Sequence, residues 1–173
     1  RYSYPHVLAD KMDFLRRYFE TNHDKLLLLD GYQQFCKTHA WLDTFALFKE
    51  LKKINKPLPW WQWRSDIERD EYEISFHKVL QFLCFDQFRQ VREVAKAEKI
   101  LLKGDLPILI SRDSADVWSQ QSMFSLELSA GAPPDPLGPE GQNWGFPLYN
   151  WQQHEWSDWR WWKERLHTAA ELY

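Results

Sequence analysis

Apolar residues recur at helical spacing through the first hundred positions. Between Asp10 and Glu20, the residues Met12, Leu15, Tyr18 and Phe19 fall on one face. Lys25 to His39 and then Trp41 to Lys53 continue the pattern. The second of these carries a broad stripe of Leu42, Phe45, Leu47, Phe48 and Leu51. Asn55-Lys56-Pro57-Leu58-Pro59 ends it, because proline lacks an amide donor and disfavours helix at the residue before it. After Trp60-Trp61-Gln62-Trp63, a long helix is predicted from about Asp70 to Lys99, roughly 45 Å in length. Its stripe runs Tyr72, Phe76, Val79, Leu80, Leu83, Phe88, Val91, Val94 and Ala95. Phe82 and Phe85 form a second apolar set that calls for contact on two sides.

The period then changes. Ile100-Leu101-Leu102 and Leu106-Pro107-Ile108-Leu109-Ile110, around Gly104, read as one buried strand with an irregularity. Following a long amphipathic helix, it predicts a βα-type unit of a parallel sheet. Ser129 to Trp151 reads as loop, with five prolines and four glycines. A stretch of that length without regular structure is usually functional. A final helix is predicted with Ser157 as N-cap and Asp158 in its first turn. Its face carries Trp159, Trp162, Leu166, Ala169 and Tyr173. A lone parallel strand cannot satisfy its own ladder, so the chain reads as part of something larger. It opens at Arg1 without an initiator methionine, so a natural N-terminus elsewhere is expected.

Composition sharpens this picture. The 173 residues suffice for one ordinary domain, and 44% hydrophobic with 27% charged residues is a globular balance. No run is apolar enough to span a membrane and no signal peptide is visible, so no membrane partner is expected. A net charge of −3 without a basic stripe argues against nucleic acid. Two cysteines, Cys36 and Cys84, cannot make a disulfide framework, which makes the cytoplasm the default compartment. The unusual feature is 11 tryptophans. Burying one contributes roughly 4–6 kcal/mol at most, so most are expected in the core. The remainder can serve as flat platforms for sugar rings, whose C–H faces are apolar and whose edges are polar.

Candidate chemistry lies in two places. Asp113 and Asp116 sit at the predicted strand's end, where barrel enzymes place active-site groups. By pattern alone they read more readily as side chains bonding the following turn. Gln142, Asn143 and Trp144, flanked by Gly141 and Gly145, read either as a ligand-contacting loop or as a packed loop anchored by its tryptophan. The six histidines are scattered, and His154-Glu155 lacks the second histidine of a zincin helix. His77 reads as a core or boundary histidine. No zinc-type cysteine spacing, nucleophile-elbow turn or phosphate-binding glycine loop occurs, so neither metal nor nucleotide chemistry is predicted.

Several motifs in order resemble one family. Gly104-Asp105-Leu106-Pro107-Ile108, leading into Asp113-Ser114-Ala115-Asp116-Val117-Trp118, resembles the third barrel strand of amylomaltases, the 4-α-glucanotransferases of glycoside hydrolase family 77. Gly131-Ala132-Pro133-Pro134-Asp135 and Gly141-Gln142-Asn143-Trp144-Gly145 resemble their long active-site loop. Trp41-Leu42-Asp43, Phe45-Ala46-Leu47-Phe48 and Pro59-Trp60-Trp61-Gln62-Trp63 resemble their helical insertion. The likeness runs over roughly residues 29 to 173. Its Gln-Asn-Trp-Gly-Phe-Pro variant is most similar to the branch containing the plant cytosolic disproportionating enzyme.

The resemblance implies a fold and an arrangement of parts. The fold is mostly α with a short parallel-type strand: a partial (β/α)8 TIM barrel with a helical insertion. Residues 1–99 would form the insertion subdomain and a long barrel helix, and 100–173 the barrel strand, active-site loop and following helix. It implies transfer of α-1,4-glucan segments between maltooligosaccharides with retention, and no cofactor. Asp113 is implied to hydrogen-bond sugar at the cleavage subsite. Gln142 and Trp144 are implied to line the groove, and Asp135 corresponds to the loop aspartate. Two departures stand out. Pro136-Leu137 stand where Tyr-Phe is common, so no aromatic gate is expected at that point, and Arg112 stands where other residues are common.

The family's nucleophile lies in an Arg-hydrophobic-Asp-His stretch that this chain lacks. All catalytic carboxylates are therefore expected beyond Tyr173. Length agrees, because a full barrel needs about 250 residues. The isolated stretch is expected to be inactive and to self-associate through unpaired strand edges. The alternatives are a non-catalytic glucan-binding module and a protein-interaction module.

Overall fold

A computed structural model describes residues 3–64, 68–136 and 138–173. Leu137, one half of the departure in the loop, lies outside the described residues. The chain divides into two compact units, Arg1–Ile54 with Asp66–Phe88 and Asn55–Ser65 with Arg89–Tyr173.

The first unit is helical. Helix α1 spans Tyr4–Leu27, with Pro5 in its first turn where a missing donor is harmless. It buries Phe19 and Leu26. The helix predicted from Lys25 to His39 is interrupted, because Leu28 closes α1 and the backbone is extended at Leu29. Helix α2, Asp30–Thr38, starts afresh with Asp30 in its first turn. The break lets Tyr32 and Phe35 turn inward to Phe82, at ring distances of 5.7 and 5.9 Å. Helix α3, Trp41–Ile54, buries Leu42, Ala46, Phe48 and Glu50.

Helix α4 spans Glu71–Ala97. Asp70 caps it, its Oδ1 accepting from the amides of Tyr72 at 3.0 Å and Glu73 at 3.3 Å. Phe76 and Val79 join Phe19, Leu26 and Tyr32 in the core of the first unit, with Phe82 and Leu83 packed at its edge. Phe85 lies against Phe35 and Trp41, so the second apolar set has its contacts. Farther along, Val91 and Val94 are exposed. The helix ends where Lys99 takes a left-handed φ of 58°.

The strand predicted between Ile100 and Ile110 is not formed. The segment runs without a ladder, with Leu101 96% and Ile108 71% exposed. Strand pairing needs neighbouring strands, and this chain supplies none there. Side chains hold the segment instead. Arg165 donates to the Pro107 carbonyl at 2.8 Å, and the Tyr149 hydroxyl donates to that of Ile108.

The strands that do form are short and antiparallel. β1 (Phe124–Ser125) pairs with β4 (Leu148–Tyr149), and β2 (Gly131–Ala132) pairs with β3 (Gln142–Asn143). They convert the predicted loop into a hairpin inside a wider hairpin. Helix α5 (Ala115–Ser119) precedes them, and α6 (Trp151–Trp156) and α7 (Arg160–Leu172) follow. Val117, Phe124 and Trp161 form this unit's core, flanked by Trp60, Met123, Tyr149 and Trp162.

Two expectations are corrected here. Ser157 does not start a helix; its hydroxyl bonds the His154 carbonyl at 2.9 Å and closes α6. Asp158 and Trp159 then take left-handed φ values of 54° and 55°, turning the chain into α7. The buried face of α7 consequently carries Trp161, while Trp159 and Leu166 are exposed. Nor are most tryptophans core. Among the described residues Trp161 alone is fully buried, and Trp61, Trp144, Trp151, Trp156 and Trp159 are exposed. Two small units have too little interior to enclose so many large rings. None of the described helices is long and apolar enough to cross a membrane.

Candidate functional site

The hairpin from Ser129 to Tyr149 is where sequence and structure converge. Its first requirement is close backbone approach. A Cβ on Gly131 would come within 1.9 Å of the Gln142 carbonyl oxygen, so only glycine lets β2 and β3 meet there. Gly141 turns the chain with a φ of 69°. At the far end, Asn143 Oδ1 accepts from the Ser129 hydroxyl at 2.6 Å and from the Gly145 amide at 2.9 Å. The Trp144 amide reaches the Ala130 carbonyl at 2.9 Å. The loop is thus tied by its own polar groups rather than by apolar packing.

This network fixes two of the predicted residues side by side. Trp144 Nε1 donates to Gln142 Oε1 at 2.8 Å, and both side chains are exposed. The bond orients the indole and leaves the amide –NH2 of Gln142 available as a donor. Asp135 lies on the same hairpin but serves the turn, its Oδ1 accepting from the Gly138 amide at 2.6 Å. Asp113 is half-buried on the turn before α5 and accepts from the Trp60 amide at 3.4 Å.

The turn itself is capped by Ser114, whose Oγ accepts from the Val117 amide at 3.3 Å. Asp116 receives the Trp161 indole N–H at 2.9 Å, a structural bond to the core. His154 is fully buried, with Nε2 3.1 Å from the Met123 carbonyl, and burial pushes its pKa down. The described residues contain no cluster of metal-ligating side chains.

Sequence reasoning left Arg112 without a role and placed Trp60 and Trp61 in a different part of the fold. In the structure they meet, because the Trp60 indole donates to the Arg112 carbonyl at 2.7 Å. Fifty-odd residues of intervening chain hide that contact from any local pattern.

Gly131→Ala tests the hairpin. The added methyl has only backbone to push against, so β2–β3 pairing should be lost. Overpacking costs about 1–3 kcal/mol, which translates to roughly 10- to 100-fold faster exchange of the Trp144 amide, which is bonded to the Ala130 carbonyl. Unchanged protection of that amide in hydrogen-exchange mass spectrometry would show that the hairpin does not depend on this approach.

Comparison with known proteins adds the following. The family model described as 4-alpha-glucanotransferase, glycoside hydrolase 77, matches residues 1–173. A 4-alpha-glucanotransferase of Chlamydia caviae is 41% identical over 98% of this chain, which spans 34% of that protein. The 4-alpha-glucanotransferase DPE2 of Oryza sativa is 31% identical over 98% of the chain, which spans 20% of it. Among solved structures, the amylomaltase of Streptococcus agalactiae in complex with acarbose superposes with a TM-score of 0.78 at 28% identity. That match covers 93% of this chain and 37% of the other. The chain thus spans about a third or less of the length of these relatives.

Proposed function

This chain belongs to the 4-alpha-glucanotransferase family, and we propose that it is the substrate-binding stretch of an enzyme that transfers α-1,4-glucan segments between maltooligosaccharides. The observation that carries this reading is the pairing of exposed Gln142 and Trp144 on a self-tied hairpin. An indole face suits the apolar side of a glucose ring, and the amide beside it suits its hydroxyls. The amylomaltase similar to this chain was solved with acarbose, which fits a glucan-binding role.

In this reading Asp113 bonds the sugar at the cleavage position, and Gln142, Trp144 and Asp135 belong to the wall of the groove. The reaction retains configuration. A carboxylate attacks the anomeric carbon while a carboxylic acid protonates the departing chain's 4-oxygen. The 4-hydroxyl of an acceptor glucan then displaces the enzyme's carboxylate from the anomeric carbon, giving its proton to the carboxylate that the first step left on the acid. In this reading these catalytic groups come from the rest of a cytoplasmic barrel enzyme and not from this stretch. No cofactor takes part.

The test uses the full-length enzyme with maltotriose. Glucose together with longer maltooligosaccharides is the expected product pattern, and the 173-residue chain alone should yield neither. Trp144→Ala should raise KM about 10-fold, the loss of roughly 1–2 kcal/mol expected for an aromatic platform. Water-derived products only, or binding without any turnover by the full-length protein, would replace this reading with a hydrolase or a binding module.

A further inference from the structure

Two segments more than fifty residues apart come together in a ledge. The 3-10 turn Trp60–Gln62 lies against the turn Arg112–Asp113. Trp60 supplies the joint. Its indole N–H goes to the Arg112 carbonyl at 2.7 Å, and its amide goes to the Asp113 carboxylate at 3.4 Å. Trp61, next along, meets Trp60 edge-on with ring centroids 5.4 Å apart. The Arg112 guanidinium carbon sits 4.8 Å from the Trp61 ring centroid. Trp63 closes the far side by packing on Trp118 at 6.2 Å.

Two features of this cluster need a reason beyond packing. Trp61 remains 44% exposed although its neighbours Trp60 and Trp63 are partly covered. Arg112 pairs with no carboxylate among the described residues and is held over an aromatic face instead. A guanidinium stacked in this way can keep its terminal N–H donors turned outward, although the Nε of Arg112 is itself buried. The ledge therefore presents an apolar ring surface, a set of donors and, one residue away, the carboxylate of Asp113.

That combination selects its ligand class. A nucleic acid or phosphate would need more than one cation, and Asp113 beside Arg112 repels anions. An apolar peptide would leave the donors of Arg112 unmet. A neutral pyranose satisfies all three parts, with its C–H face on the indole, hydroxyl oxygens accepting from the guanidinium and a hydroxyl donating to the carboxylate. We propose that Trp61 and Arg112 form a glucosyl-binding subsite contiguous with Asp113, which adds to the grip of the hairpin on a glucan chain. This inference rests on the transferase reading for its ligand but on the Trp60–Arg112 joint for its geometry.

Calorimetric titration of the full-length enzyme with maltoheptaose tests it. Trp61→Ala and Arg112→Gln should each weaken binding by about 5- to 20-fold, and Trp61→Phe, which keeps a flat ring, should recover most of the loss. Thermal midpoints run alongside exclude a folding defect, and the exposure of Trp61 makes its truncation mild. Affinity equal to wild type in both Trp61→Ala and Arg112→Gln would overturn the subsite. So would equal weakening in Trp61→Ala and Trp61→Phe at matched thermal midpoints. Absence of glucan transfer in the wild-type enzyme would instead remove the transferase reading, while the titration would still decide whether the ledge binds sugar.

Discussion

Glu73→Ala should destabilise the first unit by about 1–3 kcal/mol, because it removes the shared acceptor of a cluster whose cations, Arg16 and Lys53, keep 35% and 50% of their side chains exposed and can turn to water. Glu73 is only 3% exposed. Arg16 clamps it with two bonds of 2.7 and 2.6 Å, and Lys53 adds an ion pair at 2.9 Å. His77 approaches from the next helical turn at 3.3 Å. Removing the carboxylate strands the Arg16 guanidinium beside Phe76, over whose ring it sits at 4.4 Å. Glu73→Gln should cost less, because an acceptor remains. Far-UV circular dichroism during urea unfolding is the measurement, since the first unit is built of helices. A shift in ΔG below about 1 kcal/mol would mean that solvent already screens the cluster.

The same cluster gives the stability a pH dependence whose sign can be worked out. Burial would raise the Glu73 carboxyl, but the Arg16 and Lys53 bonds outweigh it and hold its pKa at about 2 against an ordinary 4.5. A depressed acid contributes stability above its unfolded pKa, so this share is lost as pH falls from 4.5 towards 2. Burial pushes His77 down from 6.5 to about 4 despite the attraction of Glu73. The unfolded chain then binds a proton between those values that the folded chain refuses. Stability should therefore fall from pH 6.5 to 4 as well, by roughly 1–3 kcal/mol after screening. Glu50, raised by burial and then by the charge of Glu73, works in the opposite direction. Replacing His77 by phenylalanine should flatten the curve between pH 6.5 and 4 and leave the acid limb in place. An unchanged curve in that variant would assign the upper limb to another group.

Trp161→Ala should cost the second unit about 3–5 kcal/mol, the usual range for removing a large aromatic from a core. Trp161 is 3% exposed, crosses Phe124 at 88° and carries Arg165 over its ring at 4.6 Å. Its indole N–H is bonded to Asp116. Trp161→Phe keeps much of the packing but leaves that carboxylate short of a donor, so about 1–3 kcal/mol should still be lost. Ten of the eleven tryptophans lie in this unit, so intrinsic fluorescence reports its unfolding, while circular dichroism is weighted towards the other unit, which holds α1, α2, α3 and most of α4. Coincident loss of both signals in Trp161→Ala would show that the units unfold together. A fluorescence midpoint that does not move would show that this ring is not the centre of the core.

The sequence by itself determined the helices and the identity of the loop. Helical period is local, and stripes such as Phe76 and Val79 repeat within a few residues, so α1, α3 and α4 were legible from spacing. The motif Gly141-Gln142-Asn143-Trp144-Gly145 was legible because its glycines and polar residues act on one another within the hairpin. Only the tertiary structure decided the rest. Whether Ile100–Ile110 pairs depends on strands from elsewhere, so an apolar run there did not make a strand. Glu73 lies three positions before Phe76 on the buried side of α4, and nothing local reveals that Arg16 and Lys53 arrive to neutralise it. Asp116 read as a candidate acid until Trp161, forty-five residues on, claimed it. Arg112 had no reading at all until Trp60 and Trp61 folded against it. Periodicity records which face of an element is apolar; which distant partner meets that face is settled only when the chain closes on itself.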